Sequence, residues 1–159
     1  MKILKINHAA VWVASLVVQF VPPVWYDTVF FGIRWAELNG LSEADFAQYN
    51  MAAGLISNLV CCVAAAYTMA FLFVRLKVDT GLKGLQYALL IWVGFIFLEM
   101  TTQNMFSLRS FELTVIDQSV VLIKYEIVGI ILGLWKKYKT VGTANFSEGL
   151  PTETIIVNN

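Results

Sequence analysis

Five polar side chains fall together in FLEMTTQNMF, where Glu99, Thr101, Thr102, Gln103 and Asn104 follow a long apolar run. A carboxylate with amides and hydroxyls at helical spacing can bind an ion or a small polar solute. The same groups can instead tie helices together by hydrogen bonds. Lys124 and Asn58 interrupt two other apolar runs in the same way. A charge held at mid-bilayer costs on the order of 3 kcal/mol, so such groups face partners or water. Glu99 and Lys124 have opposite sign and are the natural pair. With Asn58, Thr102 and Gln103 they define an expected polar layer, either a dry clamp between helices or the lining of a hydrated path.

The elements that would position this layer are transmembrane helices. Apolar residues make up 58% of the 159 and charged residues only 14%, far from the balance of a soluble domain. Apolar runs at about 7–26, 53–74, 84–104 and 118–135 are each long enough to cross a hydrocarbon layer of ~30 Å. The sequence predicts an all-α polytopic membrane protein: a four-helix transmembrane domain over residues 1–139, followed by a flexible cytoplasmic tail over 140–159. VPPVWYD closes the first run without a small-x-small cleavage site, so that run is expected to be a retained helix.

Charges set the expected orientation. Lys2, Lys5, Arg75, Lys77, Lys83, Lys136, Lys137 and Lys139 would lie on one side and only Arg34 and Arg109 on the other, which puts both termini in the cytoplasm. At ~1.5 Å per residue, Glu99 lies about 24 Å above Lys83 and Asn58 about 25 Å above Arg75. Lys124 lies about 18 Å above Lys136, and its side chain leans outward by about 6 Å more. All three meet in the outer half of the bundle.

The outer loops carry structural signals of their own. Phe30, Phe31 and Trp35 suit a short interfacial helix in the first outer loop, ended by Asn39-Gly40. Ser42 with Asp45 three residues on forms a loose capping box. Nothing in the pattern interrupts a second helix from Glu43 to about Arg75. Gly54, Asn58, Cys62 and Ala66 form a small-residue strip on that helix, and Gly129 with Gly133 form a GxxxG on the fourth. Glu126 shares the Gly129–Gly133 face and is expected to point at a neighbouring helix or subunit.

Secondary polar candidates lie on the first helix. His8, Trp12, Ser15 and Gln19 form a stripe, and Pro22 and Pro23 deprive the carbonyls near Val18 and Gln19 of their helical donors. His8 is either an interfacial anchor or a proton-linked group. Cys61 and Cys62 are adjacent within an apolar run, which suits neither a disulfide nor a metal site. No metal or cofactor is expected. A formal net charge of zero gives no reason to expect nucleic acid as a partner.

NHAAVWVA, WYDTVFFGIRW, NGLSEADF, NMFSLRSFELTVID and GIILGLW together resemble an uncharacterised family of small bacterial four-helix integral membrane proteins, a domain of unknown function. The resemblance covers about residues 6–135. It implies the four-helix fold and a bacterial cytoplasmic membrane, and it supplies no catalytic residue. Pro22-Pro23 departs from the small residue expected there.

Three function classes follow. The first is an oligomeric permeation or transport protein for a small solute or ion. The second is a structural or accessory bundle, and the third a membrane-embedded lipid or cofactor binder or enzyme. No nucleophile–base pair, multi-histidine set or phosphate-cradling glycine loop is present, so an enzyme is not expected. Membrane lipids and further copies of the chain are the expected partners.

Overall fold

The computed structural model describes residues 2–140, and over them the chain is helical apart from one two-stranded ribbon. Strand β1 (Lys2–Lys5) pairs antiparallel with β2 (Lys137–Thr140), so the two ends of the described chain lie side by side. Nothing in the sequence pattern marks this ribbon. Each strand has only four residues, too few for a periodic signal to stand out. Of the expected tail over 140–159, Thr140 closes β2 and the remainder lies outside the described residues.

Helix α1 (His8–Val17) tightens into a 3₁₀ turn (Val18–Phe20) and continues as α2 (Val21–Trp25). Pro22 and Pro23 occupy the first turn of α2, where no intrahelical N–H donor is needed. The tightened turn also lets the Val21 N–H reach the Val18 carbonyl. That carbonyl is therefore satisfied, contrary to expectation.

Helix α3 (Gly32–Asn39) ends at Gly40, whose φ of 67° is left-handed and suits glycine at a helix C-terminus. Ser42 and Asp45 complete the expected capping box at the start of α4 (Glu43–Gln48). Helix α5 (Met51–Arg75) is separate from α4, which corrects the expectation of one continuous helix. Tyr49 is extended, and the Asn50 side chain accepts from the Ala53 N–H at 3.0 Å, opening a new helix.

The third long helix has a defect. Between α6 (Gly81–Ile91) and α7 (Leu98–Phe106), residues Trp92–Phe97 form a π-helical turn. The last helix is α8 (Phe111–Leu134), with 24 residues, begun by a Ser110 side-chain cap on Leu113.

Three helical stretches are long and apolar enough to cross a membrane: His8–Trp25, Met51–Arg75 and Gly81–Phe106. Helix α8 has comparable length but includes Glu112, Asp117, Lys124 and Glu126, and it is not among these three. Large apolar side chains such as Leu16, Leu90 and Phe95 stand on the outside of the helices, as expected where lipid rather than protein covers them.

Helices α1, α5 and α8 enclose a core that includes Val11, Ala14, Ala66, Met69, Phe73 and Val128. Helix α6 packs most extensively on α8. The reason is glycine: a Cβ on Gly129 would come within 2.6 Å of the Gly84 carbonyl oxygen, and one on Gly133 would strike the Thr80 carbonyl. In the absence of a hydrophobic driving force, such close backbone approach is what holds helices together in lipid. Cys62 and Ala66 are likewise buried between helices. Gly54 instead makes room for the ring of Tyr49, at the head of its own helix.

Candidate functional site

Three helices contribute to one directional hydrogen-bonded chain. Gln19 Nε2 donates to the Ser15 carbonyl at 3.1 Å. Its Oε1 accepts from Asn58 Nδ2 at 2.6 Å. Asn58 Oδ1 accepts from Lys124 Nζ at 2.9 Å, with Cys62 Sγ a weaker donor at 3.7 Å. Each amide oxygen thus accepts from the next group along the chain, which ends at a cation. An ammonium has three donors, and this one has a single hydrogen bond to protein among the described residues. No carboxylate there lies within ion-pair distance of it.

Lys124, Asn58 and Gln19 line a partly enclosed cleft of about 840 Å³. Its walls include Pro22, Pro23, Met51, Leu55 and Val120, and Leu41, Asp45, Phe46 and Tyr49 of the α3–α5 connections also face it. The size falls in the usual range for small-molecule sites, and so does the pattern of apolar walls with a few polar groups. On its other side Lys124 borders a smaller cavity of about 120 Å³, lined by Val18, Cys61, Ala65, Met69 and Tyr125.

The short helices beside the cleft are fixed to α8. Tyr26 OH and Trp35 Nε1 both donate to Asp117 Oδ1, at 2.8 and 2.9 Å. Trp25 Nε1 donates to the Ile116 carbonyl at 3.1 Å. Further out, Arg34 holds Glu112 through two bonds of 2.7 Å and reaches Glu37 at 3.2 Å. The guanidinium keeps the Glu112 carboxyl below the ordinary carboxylate range, chiefly by hydrogen bonding, and is itself raised. Asp45 is also held low, by its hydrogen bonds from Ser42. By contrast α4 has no buried residue.

The expected layer of Asn58, Glu99, Thr102, Gln103 and Lys124 is therefore only partly assembled. Asn58 and Lys124 meet, joined by Gln19, which the sequence marked as secondary. Glu99, Thr102 and Gln103 are exposed on the far side of α7, and the Glu99–Lys124 pair does not form. The π turn is the reason. Continuing from buried Ala88 at α-helical spacing would turn 92, 95, 99 and 102 or 103 inward. A π turn admits one extra residue, a rotation of about 100° in α-helical phase. The inward positions become Trp92, Phe97, Thr101 and Asn104, while Phe95 is 79% exposed.

The rotated face builds a second polar contact. Buried Asn104 donates from Nδ2 to Thr114 Oγ1 at 2.9 Å, and Trp92 Nε1 donates to the Gln118 carbonyl at 3.0 Å. Gln118 is buried, and its Oε1 has no donor within reach among the described residues. Thr101 and Thr102 each return their hydroxyl to the carbonyl four residues back, which lets both sit in an apolar helix. Gln118 and Thr114 have polar side chains at four-residue spacing in the sequence, the available sign of this contact.

The remaining candidates are dispersed. His8 Nδ1 and the Tyr67 hydroxyl are 3.1 Å apart at the ribbon end of the bundle. Glu126 is half-buried in the α8 span, and its Oε2 has no donor among the described residues. No group of three or more His, Cys, Asp or Glu side chains there has the arrangement to hold a metal ion.

Apolar helices of membrane-spanning length, a glycine seam and a cleft with a few polar groups in apolar walls define a chain that is helical apart from one ribbon and compatible with a membrane protein. The chain belongs to the family described as "Protein of unknown function (DUF1761)", whose model matches residues 9–133. The resemblance noted in the sequence thus holds at the level of an uncharacterised family. No curated protein and no solved structure matches the chain.

Proposed function

We propose that this chain handles a small solute at the membrane, as a permeation or transport protein whose outer cleft is the entry vestibule. One observation carries this reading: Lys124 borders both the cleft of about 840 Å³ and the cavity of about 120 Å³ beneath it. A solute released from the ammonium would have space on either side of it. Four crossings follow, with α8 as the fourth: it supplies Lys124 and packs in the centre of the bundle. Both ends of the chain then lie on the lysine-rich cytoplasmic side of a bacterial inner membrane, with α3 at the opposite interface. The protein is not an enzyme in this reading.

The exposed Glu99, Thr102 and Gln103 support assembly into a homo-oligomer, because a lipid-facing carboxylate and amide are costly and a second copy would cover them. The test is solute flux into liposomes holding the purified protein, with Lys124→Met as the control. Flux above protein-free liposomes that Lys124→Met abolishes is the expected result. Absence of flux for ions and small solutes would overturn transport in favour of an accessory bundle.

A further inference from the structure

The outer cleft has one cation at its floor, and its walls limit what can neutralise it. Among the described residues Lys124 is the only Lys or Arg that lines it, and Asp45, near the mouth, is the only carboxylate. The Asp45 carboxylate is engaged by the Ser42 N–H and hydroxyl, at 2.8 and 2.6 Å. The hydrogen-bonded chain from Ser15 through Gln19 and Asn58 runs in one direction, each amide oxygen accepting from the next group. Each amide nitrogen keeps one N–H unused by this chain and the ammonium keeps two, so the floor is rich in donors for an incoming group. A cation is repelled by the ammonium at such a floor, and a neutral solute would leave the ammonium's charge unoffset.

We propose that the cleft takes a monocarboxylate carried on an apolar body, with its carboxylate on Lys124 and its hydrocarbon along Pro23, Leu55, Met51 and Phe46. The inference rests on the cleft being a solute site, as in the proposed function, and adds the class of solute. A single ammonium offsets one negative charge, and Asp45 at the mouth opposes a second, which selects a monoanion over a phosphate dianion. The cleft's volume and walls suit the apolar body. Its floor lies about 10 Å below Asp117 along α8, so a compact headgroup enters first and the body follows. A phospholipid headgroup anchored at the bilayer surface is less well placed to descend.

The experiment measures equilibrium binding to the full-length protein in uncharged detergent, using a fluorescent long-chain fatty acid and its methyl ester as probes. The acid is expected to bind at least about tenfold tighter than the ester, the scale of losing one hydrogen-bonded charge partner. Lys124→Met should abolish that difference and Lys124→Arg should keep most of it. Equal binding of acid and ester, or an unchanged acid affinity in Lys124→Met, would overturn the proposal. Should Lys124→Met fail to fold, Leu55→Trp fills the cleft and leaves the ammonium: lost acid binding supports the site, retained binding rejects it. Displacement of the probe by phosphatidylglycerol but not by unlabelled palmitate would also overturn it. Flux separates the two readings. Carboxylate binding without flux leaves this inference standing and defeats transport, whereas solute flux with no carboxylate preference does the reverse.

Discussion

Lys124 Nζ lies 2.9 Å from Asn58 Oδ1, so α5 and α8 are joined by an ammonium–amide bond rather than by an ion pair. A double-mutant cycle on Asn58→Leu and Lys124→Met is expected to give a coupling of roughly 0.6–1.7 kcal/mol, between the average and the maximum found for interhelical hydrogen bonds in membranes. Glu99→Gln combined with Lys124→Met is expected to be additive. Unfolding in mixed micelles provides both numbers, and strong coupling to Glu99 would contradict the exposed position of its carboxylate.

The π turn sets the phase of everything after it. Deletion of Gly94, which has no neighbouring atoms where a Cβ would stand, should restore α-helical phase and turn Asn104 away from Thr114. With Cys61 and Cys62 replaced by alanine, cysteines at 104 and 114 are expected to crosslink in the parent spacing and not in the deletion. Persistent crosslinking would mean that the helix absorbs the lost residue elsewhere.

Asp117 receives both Tyr26 and Trp35. Asp117→Ala leaves two aromatic donors without their charged acceptor and should cost about 1.5–3 kcal/mol per bond at most. Asp117→Asn retains an acceptor oxygen and should cost less. Greater exposure of Trp35, read as a red shift in its fluorescence in a background lacking the other tryptophans, is the expected signature.

The Arg34–Glu112 contact gives a pH dependence with a definite sign. The Glu112 carboxyl sits below its ordinary value of 4.5 because Arg34 donates to the charged form. Its contribution is therefore present above that value and is lost as pH falls through the lowered one. The pair is solvent-exposed, so the effect on global stability is small. Labelling of a cysteine at 37 should rise in acid, and Glu112→Gln should remove the pH dependence.

Close backbone approach makes the α6–α8 seam intolerant of side chains. Gly129→Val would drive atoms into the Gly84 carbonyl and the Ala88 methyl, and overpacking of this kind costs about 1–3 kcal/mol. Substitution of Gly94 by alanine should be far milder. Unfolding of both variants in the same micelles provides the comparison.

Much of the fold was legible because long apolar helices announce themselves by length, and glycine spacing marks a seam. Gly129, Gly133, the Gly40 terminus and the Ser42–Asp45 cap all stand where the sequence put them. The site was legible in part. Depth along the chain correctly brought Asn58 to Lys124, since rise per residue hardly changes with local distortion. Azimuth did not survive. WVGFIF contains no proline, and its one glycine, Gly94, does not by itself distinguish a π turn from an α turn; one extra residue carried Glu99 and Gln103 outward and Asn104 inward. The role of Asp117 was not legible, because contacts with Tyr26 and Trp35, 91 and 82 residues away, leave no local pattern.

The β1–β2 ribbon also bears on biogenesis. Lys2–Lys5 is made before every long helix described, whereas Lys137–Thr140 is made only after them. The opening strand must wait, unpaired, through the synthesis of nearly the whole described chain. Closing the ribbon is thus a late event that joins the first described helix to the last, and a truncation before Lys137 would yield helices whose ends are never fastened together.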